Sequence, residues 1–155
     1  MKPTSTFAAL IFVPSLFVIF PLIAISLNNA FHLPEFTSPL LQAIGFLLLL
    51  CGGGLIFNVI FLFFTVGKGT PVPIEPPKRF VGSGIYKYSR NPMFIGSTLV
   101  LLSLSFVFGH LLLYLYTLLA FLIFHIGVVV YEEPGLRKRF GESYINYCKK
   151  VPRWL

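Results

Sequence analysis

Apolar residues run through this chain in long blocks, not in the short alternations of a soluble domain. Phe7 to Leu27 is apolar, interrupted by Pro14 and Pro21. Leu40 to Val66 is longer, with only Gln42, Asn58 and Thr65 as appreciably polar members. Met93 to Phe108 and Leu111 to Tyr131 are separated only by Gly109-His110. A membrane-spanning helix needs about 20 mainly apolar residues, so the third block is short and the others are ample. The third and fourth read together as a tight helical hairpin. In the first block the prolines, the length and a weak basic start (Lys2 alone) favour a retained span over a signal peptide. The pattern predicts an all-α integral membrane protein with four transmembrane helices, at 7–27, 40–66, 93–108 and 111–131, within one domain, 1–155.

Composition strengthens that reading. Of 155 residues, 56% are hydrophobic, eighteen are Phe and only 11% are charged. A soluble domain of this size has more surface than so few charges cover. The charges are also segregated. Lys2 lies before the first block, and Lys68, Lys78, Arg79, Lys87 and Arg90 lie between the second and third. Arg137, Lys138, Arg139, Lys149, Lys150 and Arg153 follow the fourth. The connection from Asn28 to Pro39 and the Gly109-His110 turn hold none. With four spans every basic residue falls on one face, which the positive-inside rule makes cytoplasmic. The net charge of +7 then describes topology and anionic headgroups. It does not point to nucleic acid, since no soluble basic platform carries stacking aromatics. Cys51 and Cys148 sit at different depths beside a reducing compartment, which argues against a disulfide. Neither has a neighbour at metal-ligand spacing, so no metal site is expected.

The polar residues concentrate in two places. The first is the connection 67–92, "GKGTPVPIEPPKRFVGSGIYKYSRNP", where four prolines between Pro71 and Pro77 favour an extended, semi-rigid path. Phe80, Val81, Ile85, Tyr86 and Tyr88 are too apolar for a chain hanging in water, so the segment is expected to fold back on the helices. Asn91-Pro92 reads as a helix start, Asn as N-cap and Pro as first helical residue. Ordinary capping explains that pair, but a helix N-terminus also attracts anions, and Arg90 adds a forked donor beside it. The stretch is thus a candidate carboxylate site.

The second place is "YEEPGLRKRFGESYINY", from Tyr131. Glu132 and Glu133 directly follow the fourth block, where acidic side chains oppose the dipole of an ending helix. Salt bridges to Arg137–Arg139 would explain them; so would a carboxylate set to bind a ligand's hydroxyls or cation. Leu136, Phe140, Tyr144, Cys148 and Val151 recur at three- and four-residue spacing, with Arg137, Lys138, Glu142 and Lys149 off that line. This predicts a C-terminal amphipathic helix over 135–150 lying on the membrane surface. His125 and Asn58 read as hydrogen-bonded packing residues. Gly52-Gly53-Gly54 reads as a site of close helix approach.

The stretch "GKGTPVPIEPPKRFVGSGIYKYSRNPMFIG", followed by "YEEPGLRKRFGESYINYCKKVPRW", resembles the isoprenylcysteine carboxyl methyltransferase family, grouped with the phospholipid methyltransferases among integral membrane methyltransferases. The likeness covers Gly67 to Trp154 and combines G-x-Y-x-x-x-R-[HN]-P, a helical hairpin, a Glu pair and F-G-x-x-Y-x-x-Y, in order. It implies S-adenosylmethionine as methyl donor, in a cytoplasm-facing pocket under the loop and C-terminal helix. Carried over by position, the cofactor contacts would be Lys78, Arg79, Phe80, Val81, Tyr86, Asn91, Pro92, Met93, Phe94 and Glu132, with Arg90 beside them. Asn91 stands where histidine is commoner and Phe94 where the family has tyrosine. Val128 stands where eukaryotic members have a substrate-binding arginine. The implied acceptor is lipophilic or membrane-held. If it is an amine it must lose a proton, for which Glu133 or His125 are the nearby bases. The alternatives are a steroid-reductase-like oxidoreductase, with Lys78-Arg79 on the NADPH 2′-phosphate, and a non-catalytic membrane scaffold of the same fold.

Overall fold

The computed structural model describes residues 14–67 and 82–155. A π-helical turn, Ser15–Ile19, leads into α1 (Phe20–Ala30). Helix α2 (Pro39–Leu62) continues through a π-turn, Phe63–Gly67. A 3₁₀ turn, Gly84–Lys87, precedes α3 (Pro92–Phe108). Helix α4 (Leu111–Gly127) runs on through a π-turn, Val128–Glu132, into α5 (Glu133–Phe140), and α6 (Glu142–Cys148) follows. The all-helical expectation holds for the described residues.

Two helical runs, Pro39–Gly67 and Leu111–Phe140, are long and apolar enough to cross a membrane. Ser15–Ala30 and Pro92–Phe108 are apolar but shorter. The four expected spans are therefore two long helices and two shorter ones. Two other boundaries differ from expectation. The fourth helix does not end with its apolar block at Tyr131, because the chain stays helical to Phe140. The single amphipathic helix expected over 135–150 is two helices, broken at Gly141. That glycine takes φ 53°, ψ −132°, a region that residues with a Cβ rarely adopt.

Close packing of α2 on α3 fixes the bundle. Helices in lipid gain little from apolar burial against each other, so small residues that let backbones approach matter more. Cβ atoms added at Gly45, Gly52 and Gly96 would lie 3.2 Å or less from the facing helix, and those at Gly52 and Gly96 would each meet the other's carbonyl oxygen. Gly53 and Gly54 face open space, so only the first of the three glycines makes the expected approach. Asn58 is exposed on α2 and does not have the buried setting expected of an interhelical hydrogen bond. The α3–α4 turn matches expectation. Gly109 closes α3 at φ 73°, and a Cβ there would lie 2.8 Å from Phe36 O.

The interior holds Leu101, Ala120 and Phe124, with Phe17, Phe94, Leu104 and Tyr116 packed around them. Hydroxyls inside are satisfied locally, as in Ser105 Oγ to Thr117 Oγ1 at 3.0 Å. The outer faces are strongly apolar; Leu50 and Phe57 are each 74% exposed. At one end of the bundle, buried Asn28 accepts from Leu112 N–H and contacts His110 Nδ1, while Glu35 pairs with His110. The opposite end gathers Arg90, Asn91 and the glutamate pair, singled out for function.

Candidate functional site

Tyr86, Arg90, Asn91, Pro92, Met93 and Phe94 lie on one segment that runs from the 3₁₀ turn into α3. Lys78, Arg79, Phe80 and Val81 lie outside the described residues. The Tyr86 ring rests against Phe63, centroids 6.0 Å apart. Its hydroxyl is raised well above its ordinary value by burial first, then by the charges of Glu132 and Tyr147. The link between this segment and the glutamate pair that the geometry gives runs from Arg90 to Glu133, Nη1 to Oε1 at 2.9 Å. Phe94 turns inward instead, packing on Phe124 with centroids 5.2 Å apart. Val128 is also fully buried.

The start of α3 departs from ordinary capping. Asn91 is the N-cap and Pro92 the first helical residue, as expected, but the Asn91 side chain makes no cap bond. Its amide Nδ2 donates to Arg153 O at 2.9 Å, and its own N–H is taken by Ser89 Oγ. The other Pro-initiated helix behaves normally: Ser38 accepts from Leu41 N–H and caps α2. The first amides of α3 are therefore left without their usual side-chain acceptor.

The two glutamates have separate surroundings. Glu133 is closed to solvent, with its side chain 5% exposed, although it lies near the protein's rim. Arg153 binds it through Nε to Oε1 (2.9 Å) and Nη2 to Oε2 (3.0 Å), the forked geometry a carboxylate favours. Arg90 Nη1 lies 2.9 Å from the same Oε1. Burial alone would raise the Glu133 carboxyl. The Arg153 hydrogen bond and the charges of Arg90, Arg153 and Arg137 overcome this and hold it below the usual range. Glu132 is open at the surface, yet much protein stands around it. That loss of bulk water, with the Glu133 charge, raises its carboxyl. The apolar run of α4 ends at Tyr131, so both glutamates lie beyond it.

Arg90 also donates from Nη1 to Cys148 Sγ at 3.2 Å, and its buried Nε has no hydrogen-bond partner among the described residues. A buried unpaired donor costs about 1–3 kcal/mol. Tyr147 donates to Tyr86 O at 2.6 Å; burial pushes its hydroxyl up to about 12, so it stays protonated at neutral pH. His125 packs between Phe121 and Trp154, at 6.5 and 5.8 Å between ring centroids. Among the described residues no cluster of metal-ligating side chains occurs.

The sequence reading missed Ser89, Tyr147 and Arg153, which join the segment to the rest. Of the two readings of the Glu pair, ion pairing describes Glu133, but through Arg90 and Arg153, with the Arg137 charge adding to theirs. No curated protein and no solved structure matches the chain. The family model for phospholipid methyltransferase matches residues 40–143, from α2 into α6. A match over most of the chain, with the loop–α3 segment and the glutamate pair brought together inside or beside it, places this protein in the phospholipid methyltransferase family of membrane methyltransferases.

Proposed function

We propose that the protein transfers a methyl group from S-adenosylmethionine to a lipophilic or membrane-held acceptor. The observation that carries this reading is the 2.9 Å contact of Arg90 with Glu133, which joins the loop segment to the glutamate pair beside a helix start left uncapped, in a chain of methyltransferase family. In the proposed topology all four apolar helices cross the bilayer, and the site faces the cytoplasm together with the 67–92 connection. The sorting of basic residues supports that orientation.

Bound there, S-adenosylmethionine supplies an activated methyl carbon. The protein's part is to place the two partners and keep water out. Tyr86 offers an aromatic face suited to a sulfonium cation. Glu132, accessible and close by, offers a carboxylate to the ribose hydroxyls or the ammonium group. The open α3 amides and Arg90 Nε suit the carboxylate end. Phe80 and Val81 are the proposed adenine contacts, and Lys78 and Arg79 are proposed to touch the cofactor as well. Pro92, Asn91, Met93 and Phe94 shape the floor, Phe94 through its packing on Phe124. Glu133, bound by two arginines and held below its usual range, is unsuited to act as a base. An acceptor atom that carries a free lone pair at neutral pH needs none.

Isothermal titration of detergent-purified protein with S-adenosylhomocysteine tests the reading. Micromolar binding is expected, weakened at least tenfold by Glu132→Ala with helical content unchanged, and with no response to NADPH. Binding of NADPH instead would make the protein an oxidoreductase. Binding of neither would remove the donor assignment.

A further inference from the structure

The segment Val151–Trp154 ties the site together. Pro152 O accepts from Arg90 N–H at 3.0 Å. Arg153 O accepts from Ser89 Oγ at 3.3 Å and from Asn91 Nδ2 at 2.9 Å. The guanidinium of the same Arg153 grips both oxygens of Glu133. Trp154 then rests on Phe121 and His125 of α4, at 5.8 Å between centroids for each ring. One residue therefore holds Asn91, in the loop half of the site, through its main chain. Through its side chain it holds the immediate neighbour of Glu132.

We propose that Arg153 is a positioning residue that sets the loop half of the cofactor pocket in register with Glu132; this rests on the functional reading above. Three features separate it from an ordinary tie. The contacts fall at or next to the residues proposed to touch cofactor, not at the periphery. The Arg153 carbonyl draws the Asn91 side chain away from the cap position it would otherwise take, keeping the α3 amides open. The fork matches a carboxylate in a way that a lysine ammonium cannot, so orientation is fixed as well as charge. Misplacing a site by about 1 Å can cost about a hundredfold in rate, so a residue that sets register acts on function without touching the ligand.

Arg153→Gln and Arg153→Lys test the proposal, by hydrogen exchange on ligand-free protein and by titration with S-adenosylhomocysteine. In Arg153→Gln, exchange at the Arg90 amide should rise at least tenfold while α2 and α4 keep their protection. Affinity should fall about tenfold, and Arg153→Lys, which keeps charge but not the fork, should fall between. The decisive comparison is made in a Glu132→Gln background. If Arg153 works by placing Glu132, its loss there should cost less than about twofold, because the contact it serves is already gone. A full additive loss in that background would make Arg153 a structural residue only and overturn the role. So would unchanged exchange at Arg90, or unchanged affinity while the wild type binds. Failure of the wild type to bind would overturn the cofactor reading and the role with it, a result distinct from the others.

Discussion

The glutamate pair shows how two adjacent, identical residues come to do different work. Glu133 holds Arg90 and Arg153 together, while Glu132 stays exposed. Local sequence pointed to the pair by a rule that does not apply here. Acidic residues at a helix end oppose its dipole, but the helical run continues to Phe140 and the pair lies within it. The true partners, Arg90 and Arg153, are far away in sequence, whereas Arg137–Arg139 were the cations in view. Removing one member of a buried ion pair costs about 3–5 kcal/mol, since the other charge is left uncompensated. Glu133→Gln should accordingly destabilise the protein by about 3 kcal/mol, read as a lower thermal midpoint in detergent. The sign with pH follows from the depressed carboxyl. Its stabilisation is complete above the ordinary value of 4.5 and is lost as pH falls through the lower folded value. The wild type should lose midpoint as pH falls below about 4.5, and Glu133→Gln should flatten that part of the curve.

At the level of elements, the helices themselves were legible and their interruptions were not. Apolar blocks located the run Pro39–Gly67, α3 and the α3–α4 turn within a residue or so, because in lipid an apolar run must satisfy its backbone internally as helix. The break at Gly141 was hidden because Leu136, Phe140, Tyr144 and Cys148 keep four-residue spacing straight across it. Gly141 itself, followed by Glu142 and Ser143, was the available signal. The glycine run was read as one unit, although each residue turns about 100° around a helix. Only Gly52 faces α3, with Gly45 seven residues earlier on the same face and Gly96 opposite. This contact also places α3, whose first residues belong to the site. Gly52→Leu should force α2 and α3 apart, at about 1–3 kcal/mol, and weaken S-adenosylhomocysteine binding severalfold. Gly53→Leu, entering open space, should leave both thermal midpoint and affinity near wild type. Equal effects from the two would mean that the close approach does not position α3.

The whole molecule has two polar ends joined by apolar helices. At one, Leu111 N–H reaches Pro34 O, Phe36 N–H reaches Gly109 O, and Asn28, Glu35 and His110 cluster. At the other, Arg90, Glu133, Arg153 and Tyr147 bind the loop to α5 and α6. Helix α3 links them with 17 residues, a rise of roughly 25 Å. That is slightly less than the hydrocarbon thickness of about 30 Å. A short helix with Arg90 and Asn91 at one mouth and His110 at the other can still cross where the bilayer thins locally. The separation of ends therefore predicts sidedness, which charge sorting alone orients. In a background lacking Cys51 and Cys148, Phe36→Cys and Lys138→Cys place thiols at exposed positions on opposite ends. In sealed vesicles of known orientation, a membrane-impermeant maleimide should reach Lys138→Cys only from the cytoplasmic side and Phe36→Cys only from the other. Because the Gly109 turn is hydrogen-bonded to the Phe36 segment, reaction of both thiols from one side would mean that α3 does not cross. The four-span topology would then fall, whatever the chemistry at the site.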